Sequence, residues 1–174
     1  MLSRDAIMKY FGELSELLYE KGKEAEIWVY GGTVMALKYG SRSMTHDIDS
    51  EWTDSESFEE AAELVRKKHG LDSDWLNDQI KALLTGVETF DIEPFLELPG
   101  LTIWFADGST MLAMKIRAGR DYSPDLDDIK WLLQELSIKS REEALHIFKA
   151  KYPNAVLPDT SSKAINEFFG DKCG

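Results

Sequence analysis

The run Ile27-Trp28-Val29-Tyr30 is short, apolar and β-prone. It stops at Gly31-Gly32, and Thr33-Val34-Met35-Ala36-Leu37-Lys38-Tyr39 follows at once with helical character, closed by Gly40. A strand that passes through two glycines straight into a helix constrains this chain more than any other feature. Glycine admits backbone angles closed to other residues and lets the main chain approach a neighbour closely. A strand needs a sheet and a helix needs a layer to pack on, so the junction alone points to an α/β arrangement. The junction also leaves backbone N–H groups at a helix start, where a phosphate is favoured, and Thr33 adds a hydroxyl there.

Fourteen residues beyond the glycine pair, Asp47-Ile48-Asp49-Ser50-Glu51-Trp52 alternates polar and apolar, the pattern of a second strand. On a strand, residues two apart share a face, which puts the Asp47 and Asp49 carboxylates side by side. Adjacent carboxylates repel, and a divalent cation relieves the repulsion. Oxygen ligands of this kind suit Mg²⁺ or Mn²⁺, and Mg²⁺ also binds substrate phosphates. Two such ions about 3.5–4 Å apart clamp an in-line displacement at phosphorus. Taken singly, each half is weak: a Gly-Gly pair is most often a plain turn, and an Asp-x-Asp in a chain of net charge −12 is most often a solvated strand face. Their order and spacing together are much more specific.

Elsewhere the spacing predicts helices over about 3–21, 57–69, 75–84, 109–117, 125–136, 140–151 and 161–169, with strands over 87–92 and 101–105. Ser57 with Glu60 and Ser140 with Glu143 read as capping boxes. Pro94, Pro99 and Gly100 read as punctuation between strands. The predicted class is α/β (α+β): a small mixed sheet flanked by helices over 1–108 and a helical C-terminal region over 109–174, in one compact unit. The 174 residues suffice for a core without staples, and the one cysteine, Cys173, rules out a disulfide within the chain. No apolar run reaches membrane-spanning length and the N-terminus has no apolar leader, so a cytoplasmic protein is expected. The acidic balance argues against long duplex nucleic acid as a bulk partner.

The series Gly31-Gly32-Thr33-x-x-Ala36-Leu37, then Arg42, then Asp47-Ile48-Asp49 resembles the signature of the polymerase-beta-like nucleotidyltransferase superfamily. It is similar to the minimal nucleotidyltransferases, including the AbiEii-like toxins of bacterial toxin–antitoxin and phage-defence systems. The segments Asp74-Trp75-Leu76-Asn77-Asp78, Leu112-Ala113-Met114-Lys115, Asp125-Leu126-Asp127-Asp128-Ile129 and Tyr152-Pro153 extend the likeness over nearly the whole chain. The resemblance implies that Asp47 and Asp49 hold the metal, and that Gly31, Gly32 and Thr33 cradle nucleotide phosphates. Lys115 would neutralise triphosphate charge, and Asp125 or Asp128 would complete the site. It implies an NTP substrate, release of pyrophosphate, an RNA end or a protein side chain as acceptor, and a cognate toxin or antitoxin partner. Many members carry a third carboxylate on a later strand. Asp91 has the right apolar flanks for it, whereas Asp107 sits in a turn before Gly108, where aspartate is common for turn reasons alone.

Several residues have plain readings beside the functional ones. Arg42 is a phosphate contact or a surface arginine, and His46 a titratable neighbour of Asp47 or a loop residue. Lys115 is a site lysine or one that snorkels from an apolar helix. Trp75, Asn77 and Asp78 line the site, or else Trp75 is core and Asp78 solvated. The expected function is Mg²⁺-dependent nucleotidyl transfer. The rival is a non-catalytic nucleotide-binding or interaction module on the same fold.

Overall fold

In the computed structural model, residues 1–53, 56–86, 90–119 and 124–170 are described below. By their packing they fall into two units. The first is Met1–Lys81 with Ile92–Ala106, and the second is Ala82–Asp91 with Asp107–Gly174. The chain thus divides at Ala106/Asp107, near the expected 108/109 boundary, and residues 82–91 group with the C-terminal helices.

The first unit opens with β1 (Leu2–Ser3) and α1 (Arg4–Glu20). Ser3 caps α1, its hydroxyl accepting from the Ala6 N–H at 3.2 Å. Of the apolar residues that recur at helical spacing, Ile7, Tyr10, Phe11, Leu14 and Leu18 are buried and Leu17 is half-buried. There follow β2 (Ala25–Val29), α2 (Gly31–Leu37), β3 (Met44–Thr45), β4 (Ile48–Trp52), α3 (Glu56–His69) and β5 (Leu76–Asn77), and later β6 (Ile92–Leu98) and β7 (Leu101–Ala106). Five strands form a mixed sheet in the order β5-β4-β2-β7-β6, and β1 pairs with β3 in a separate ribbon. β2 runs antiparallel to β4 and parallel to β7, with Val29 opposite Ser50 on one side and Phe105 on the other. The central strands alternate: Ile27, Val29, Ile48, Ser50, Ile103 and Phe105 are buried, while Trp28, Asp49, Glu51 and Trp104 are half-buried. α1 packs on β7, and α3 packs on α1.

The second unit consists of α5 (Gly108–Ala118), α6 (Pro124–Glu135), α7 (Arg141–Lys151) and α8 (Asp159–Gly170), preceded by the segment that carries most of α4 (Lys81–Leu84). α5 packs on α6 and α7, and α8 packs on α6 and α7. Ser140 caps α7, and Glu143 returns the bond to the Lys139 N–H at 2.7 Å. Ser161 and Thr160, at the start of α8, donate to the carbonyls of Ile116 and Gly119 at the end of α5. No helix of the described residues is long and apolar enough to cross a membrane.

Four expectations need correction. The predicted helix over 75–84 is instead β5, a turn and the short α4. Leu76 and Asn77 pair with Ile48 and Asp49, and the Asn77 side chain accepts from the Gln79 N–H at 3.0 Å, a local bond that competes with helix. Ser57 is no N-cap, because α3 already includes Glu56. Pro94 does not separate strands. It lies within β6, an edge strand, where the missing N–H is tolerated, and a register irregularity follows it. Of the strand predicted over 87–92, residues 87–89 lie outside the described set, and Ile92 begins β6.

The α1–α3 contact has a polar lock with a pH signature. Glu13 accepts from His69 Nε2 at 2.8 Å and pairs with Lys68 Nζ at 3.1 Å. Burial alone would raise the Glu13 carboxyl, but the bonds and charges of His69 and Lys68 outweigh it and hold the group below its ordinary value. A carboxylate with a depressed folded-state pKa adds stability above the unfolded pKa and loses it as pH falls through the folded value. Glu13→Gln is therefore expected to lower the melting temperature at pH 7 and pH 5. Its curve should converge with that of the native chain only once pH has fallen through the folded-state value, below the ordinary carboxylate range. Melts at pH 7, 5 and 3 check this; a constant gap at all three would contradict it.

Candidate functional site

The sheet brings the two halves of the sequence pattern together. β2 ends at Val29, the Tyr30 N–H donates to the Asp49 carbonyl at 2.9 Å, and Gly31 follows with φ +63°. That angle alone favours glycine. The packing demands it as well, because a Cβ on Gly31 would overlap Oδ2 of Asp49. A Cβ on Gly32 would overlap the Thr45 hydroxyl and lie 3.3 Å from Nη1 of Arg42. The glycine pair is thus the place where main chain meets the Asp49 carboxylate on one side and Thr45 with Arg42 on the other.

Asp47 and Asp49 flank the buried Ile48 and are both half-buried. Because Ile48 and Ser50 supply the buried positions of β4, the strand period directs Asp49 to its other face, and Asp47 immediately precedes the strand. Asp47 is held twice. Its carbonyl accepts from the Thr33 hydroxyl at 3.0 Å, and its Oδ2 accepts from Asn77 Nδ2 at 3.1 Å. Thr33 is fully buried, so its hydroxyl positions the Asp47 backbone, and only its main-chain N–H is left for the phosphate role expected of it.

The loop from Lys38 to His46 is anchored at several points. Arg4 donates to the Leu37 carbonyl at 3.2 Å, Ser41 bonds through main chain and hydroxyl to the Met35 carbonyl, and Met44–Thr45 pairs with Leu2–Ser3. His46 is exposed, in keeping with a loop residue. Trp75 is core and meets Tyr10 edge-on at 5.5 Å. Asp78 is half exposed and pairs with Lys81.

The remaining candidates form a cluster within the second unit. Lys115 on α5 reaches Asp125 Oδ1 at 2.6 Å and Asp128 Oδ2 at 2.9 Å on α6. All three side chains are at least 86% buried, and the lysine charge is matched by both carboxylates. Asp91 also belongs to this unit and pairs with Lys151. Asp107 caps α5, accepting from the Thr110 N–H at 2.7 Å, as its turn position suggested. The structure thus groups Gly31, Gly32, Thr33, Arg42, Asp47 and Asp49 in the first unit, and Lys115, Asp125 and Asp128 in the second. The sequence reading offered Asn77 as a residue that lines the site but placed it on a helix; the structure sets it on β5 with its amide on Asp47.

The donor set of the first cluster fits a hard divalent cation. Mg²⁺ commonly takes one or two protein carboxylates and completes its shell with water and substrate phosphates. Among the described residues no group of three or more His, Cys, Asp or Glu side chains converges as a self-sufficient metal cage. That combination suits an ion delivered with a nucleotide. No model of a known protein family matches this chain, and neither a curated protein nor a solved structure matches it.

Two glycines with positive φ separate the cost of the angle from the cost of the contact. A Cβ on Gly22 (φ +62°) meets nothing within 4 Å, whereas one on Gly31 meets Asp49. Gly22→Ala should cost about 1–2 kcal/mol for the left-handed backbone. Gly31→Ala should cost more, because it also displaces the carboxylate. Urea unfolding of the two variants measures the difference, and equal losses would mean that Asp49 yields freely.

Proposed function

We propose that this chain is a Mg²⁺- or Mn²⁺-dependent nucleotidyltransferase domain. It would move a nucleoside monophosphate from an NTP to an acceptor hydroxyl. The observation that carries the reading is the seating of the Asp49 carboxylate against the Gly31 backbone, with Asp47 held by Asn77 just ahead of the same strand. Two sequence elements that are weak singly are joined in space, and the glycine is required by what it touches.

In this reading Asp47 and Asp49 hold the divalent ion, which supplies charge neutralisation for the phosphates. The main chain at Gly31 and Gly32 would meet the phosphates beside the Asp49 carboxylate, and Arg42 places a guanidinium beside Gly32. The acceptor oxygen forms a bond to the α-phosphorus while the bond to pyrophosphate breaks, and the hydroxyl proton leaves to a base. Chemistry of this kind needs mainly positioning and charge. The acceptor is an RNA end or a protein side chain. The extension to a toxin–antitoxin or phage-defence pair, with a cognate partner, rests on the motif likeness alone. So does the phosphate role of Lys115 with Asp125 or Asp128, since the lysine is already paired with both carboxylates.

One observation favours a second reading, a nucleotide-binding module without catalysis. Among the described residues no third carboxylate joins Asp47 and Asp49, and Asp91, the sequence candidate, pairs with Lys151.

The test is transfer of label. The protein is incubated with Mg²⁺, each of four α-labelled NTPs, and bacterial RNA with lysate protein. Asp47→Asn/Asp49→Asn is the control and Lys115→Ala a further variant. Label on RNA or protein with the native chain and not with the double variant supports the transferase and names its base and acceptor. Binding of Mg²⁺–NTP without transfer supports the module. Neither binding nor transfer defeats both.

A further inference from the structure

Asn77 reaches Asp47 from an element that the sequence pattern hides. β5 is two residues long and lies parallel to β4 at the edge of the sheet, with Asn77 paired to Asp49. Its neighbour Trp75 is buried and accepts from the Ile48 N–H at 2.8 Å, which ties the segment to the start of β4. Asn77 itself is only 8% exposed, and its amide is saturated. Nδ2 donates to Asp47 Oδ2 and to the Asp74 carbonyl, both at 3.1 Å, while Oδ1 accepts from the Gln79 N–H at 3.0 Å. The Gln79 N–H can only donate, so it fixes which end of the amide is oxygen and makes the end facing Asp47 a donor.

We infer that Asn77 is a positioning residue for Asp47, holding one carboxylate oxygen so that the other is presented to a cation–nucleotide complex. The inference rests on the reading of Asp47 and Asp49 as that site. Among the described residues Asn77 supplies the hydrogen bond that the Asp47 carboxylate accepts. The choice of residue type matters. A lysine or arginine here would orient the carboxylate and also cancel its charge, competing with the cation. An amide orients it and leaves the charge intact. Partners that orient a ligating group in this way typically change metal affinity roughly 10–100-fold when removed.

The experiment titrates Mn²⁺, alone and with ATP, CTP, GTP or UTP, into the full chain and follows water-proton relaxation, with thermal melts in parallel. The chains are native, Asp47→Asn, Asn77→Ala and Asn77→Asp. The expected result is Mn²⁺–nucleotide binding by the native chain, its loss in Asp47→Asn, and a roughly 10–100-fold weakening in Asn77→Ala. Asn77→Asp keeps the shape and the Gln79 bond but sets a carboxylate against Asp47. Its melting temperature should fall without Mn²⁺ and recover with Mn²⁺ by more than the native chain gains. If Asn77→Ala does not fold, that metal-dependent recovery decides. Native-like affinity in Asn77→Ala, with no extra Mn²⁺ gain in Asn77→Asp, would reduce Asn77 to a strand anchor while the loss in Asp47→Asn kept the site. No binding by the native chain, with Asp47→Asn indistinguishable from it, would remove the site and the inference together.

Discussion

The contact between the Gly31 main chain and the Asp49 carboxylate is the constraint around which the first unit is arranged. The carboxylate oxygen occupies the volume that a side chain at Gly31 would need. Asp49 lies on β4 and Gly31 follows β2 at the start of α2, and the β2–β4 register that joins them shows in Val29 opposite Ser50 and in the Tyr30 to Asp49 hydrogen bond. A slip of one residue would turn Ile48 and Ser50 outward and bury both aspartates. The apolar alternation of β4 therefore enforces the position of its acids: burial of Ile48 and exposure of Asp49 are one event.

What closes the arrangement is the way the chain returns from α2 to β4. Between Gly32 and Asp47 the chain leaves the sheet, and it is tied at both ends. Thr33 at the start of α2 bonds to the Asp47 carbonyl, and Thr45 packs on Gly32. The far part of the loop is held by the beginning of the protein. Ser3 both caps α1 and pairs with Met44, and Arg4 takes the Leu37 carbonyl at the end of α2. One short segment thus starts a helix, pairs with β3 and closes another helix.

The sequence made most of this fold legible where local physics and tertiary packing agree. The 3.6-residue spacing marked α1 and the C-terminal helices, and Ser140 with Glu143 marked a true cap. The Gly-Gly and Asp-x-Asp elements were visible because glycine and acidic residues at fixed spacing have few other reasons to recur together. What stayed hidden is non-local. The β1–β3 ribbon has two residues a side, too few to show any period. Residues 75–84 carry helix-compatible spacing, but Leu76 and Asn77 gain more from pairing with β4, and the Asn77 side chain closes the turn. Asn77 was named as a residue that lines the site, but the same misreading concealed that it sits beside β4 and donates to Asp47.

Charge sets the remaining condition on a nucleotide in the first unit. The chain carries −12 overall, Asp49 lies on β4, and Asp47 immediately precedes that strand. Lys38, at the end of α2, is engaged by Glu93 at 2.5 Å. Burial works against its charge, but the bonds with Glu93 and Tyr39 overcome that cost and hold the lysine above its ordinary value. Its charge is therefore matched, and the Arg42 guanidinium lies beside the glycine pair. Asp47 and Asp49 repel an approaching triphosphate, and like charges repel each other. A divalent ion reverses both signs at once. Under the proposed function nucleotide and ion are therefore coupled ligands, each raising the affinity for the other by the same factor. A neutral donor such as Asn77 keeps that coupling strong, because it orients Asp47 without diluting the charge that draws the ion in.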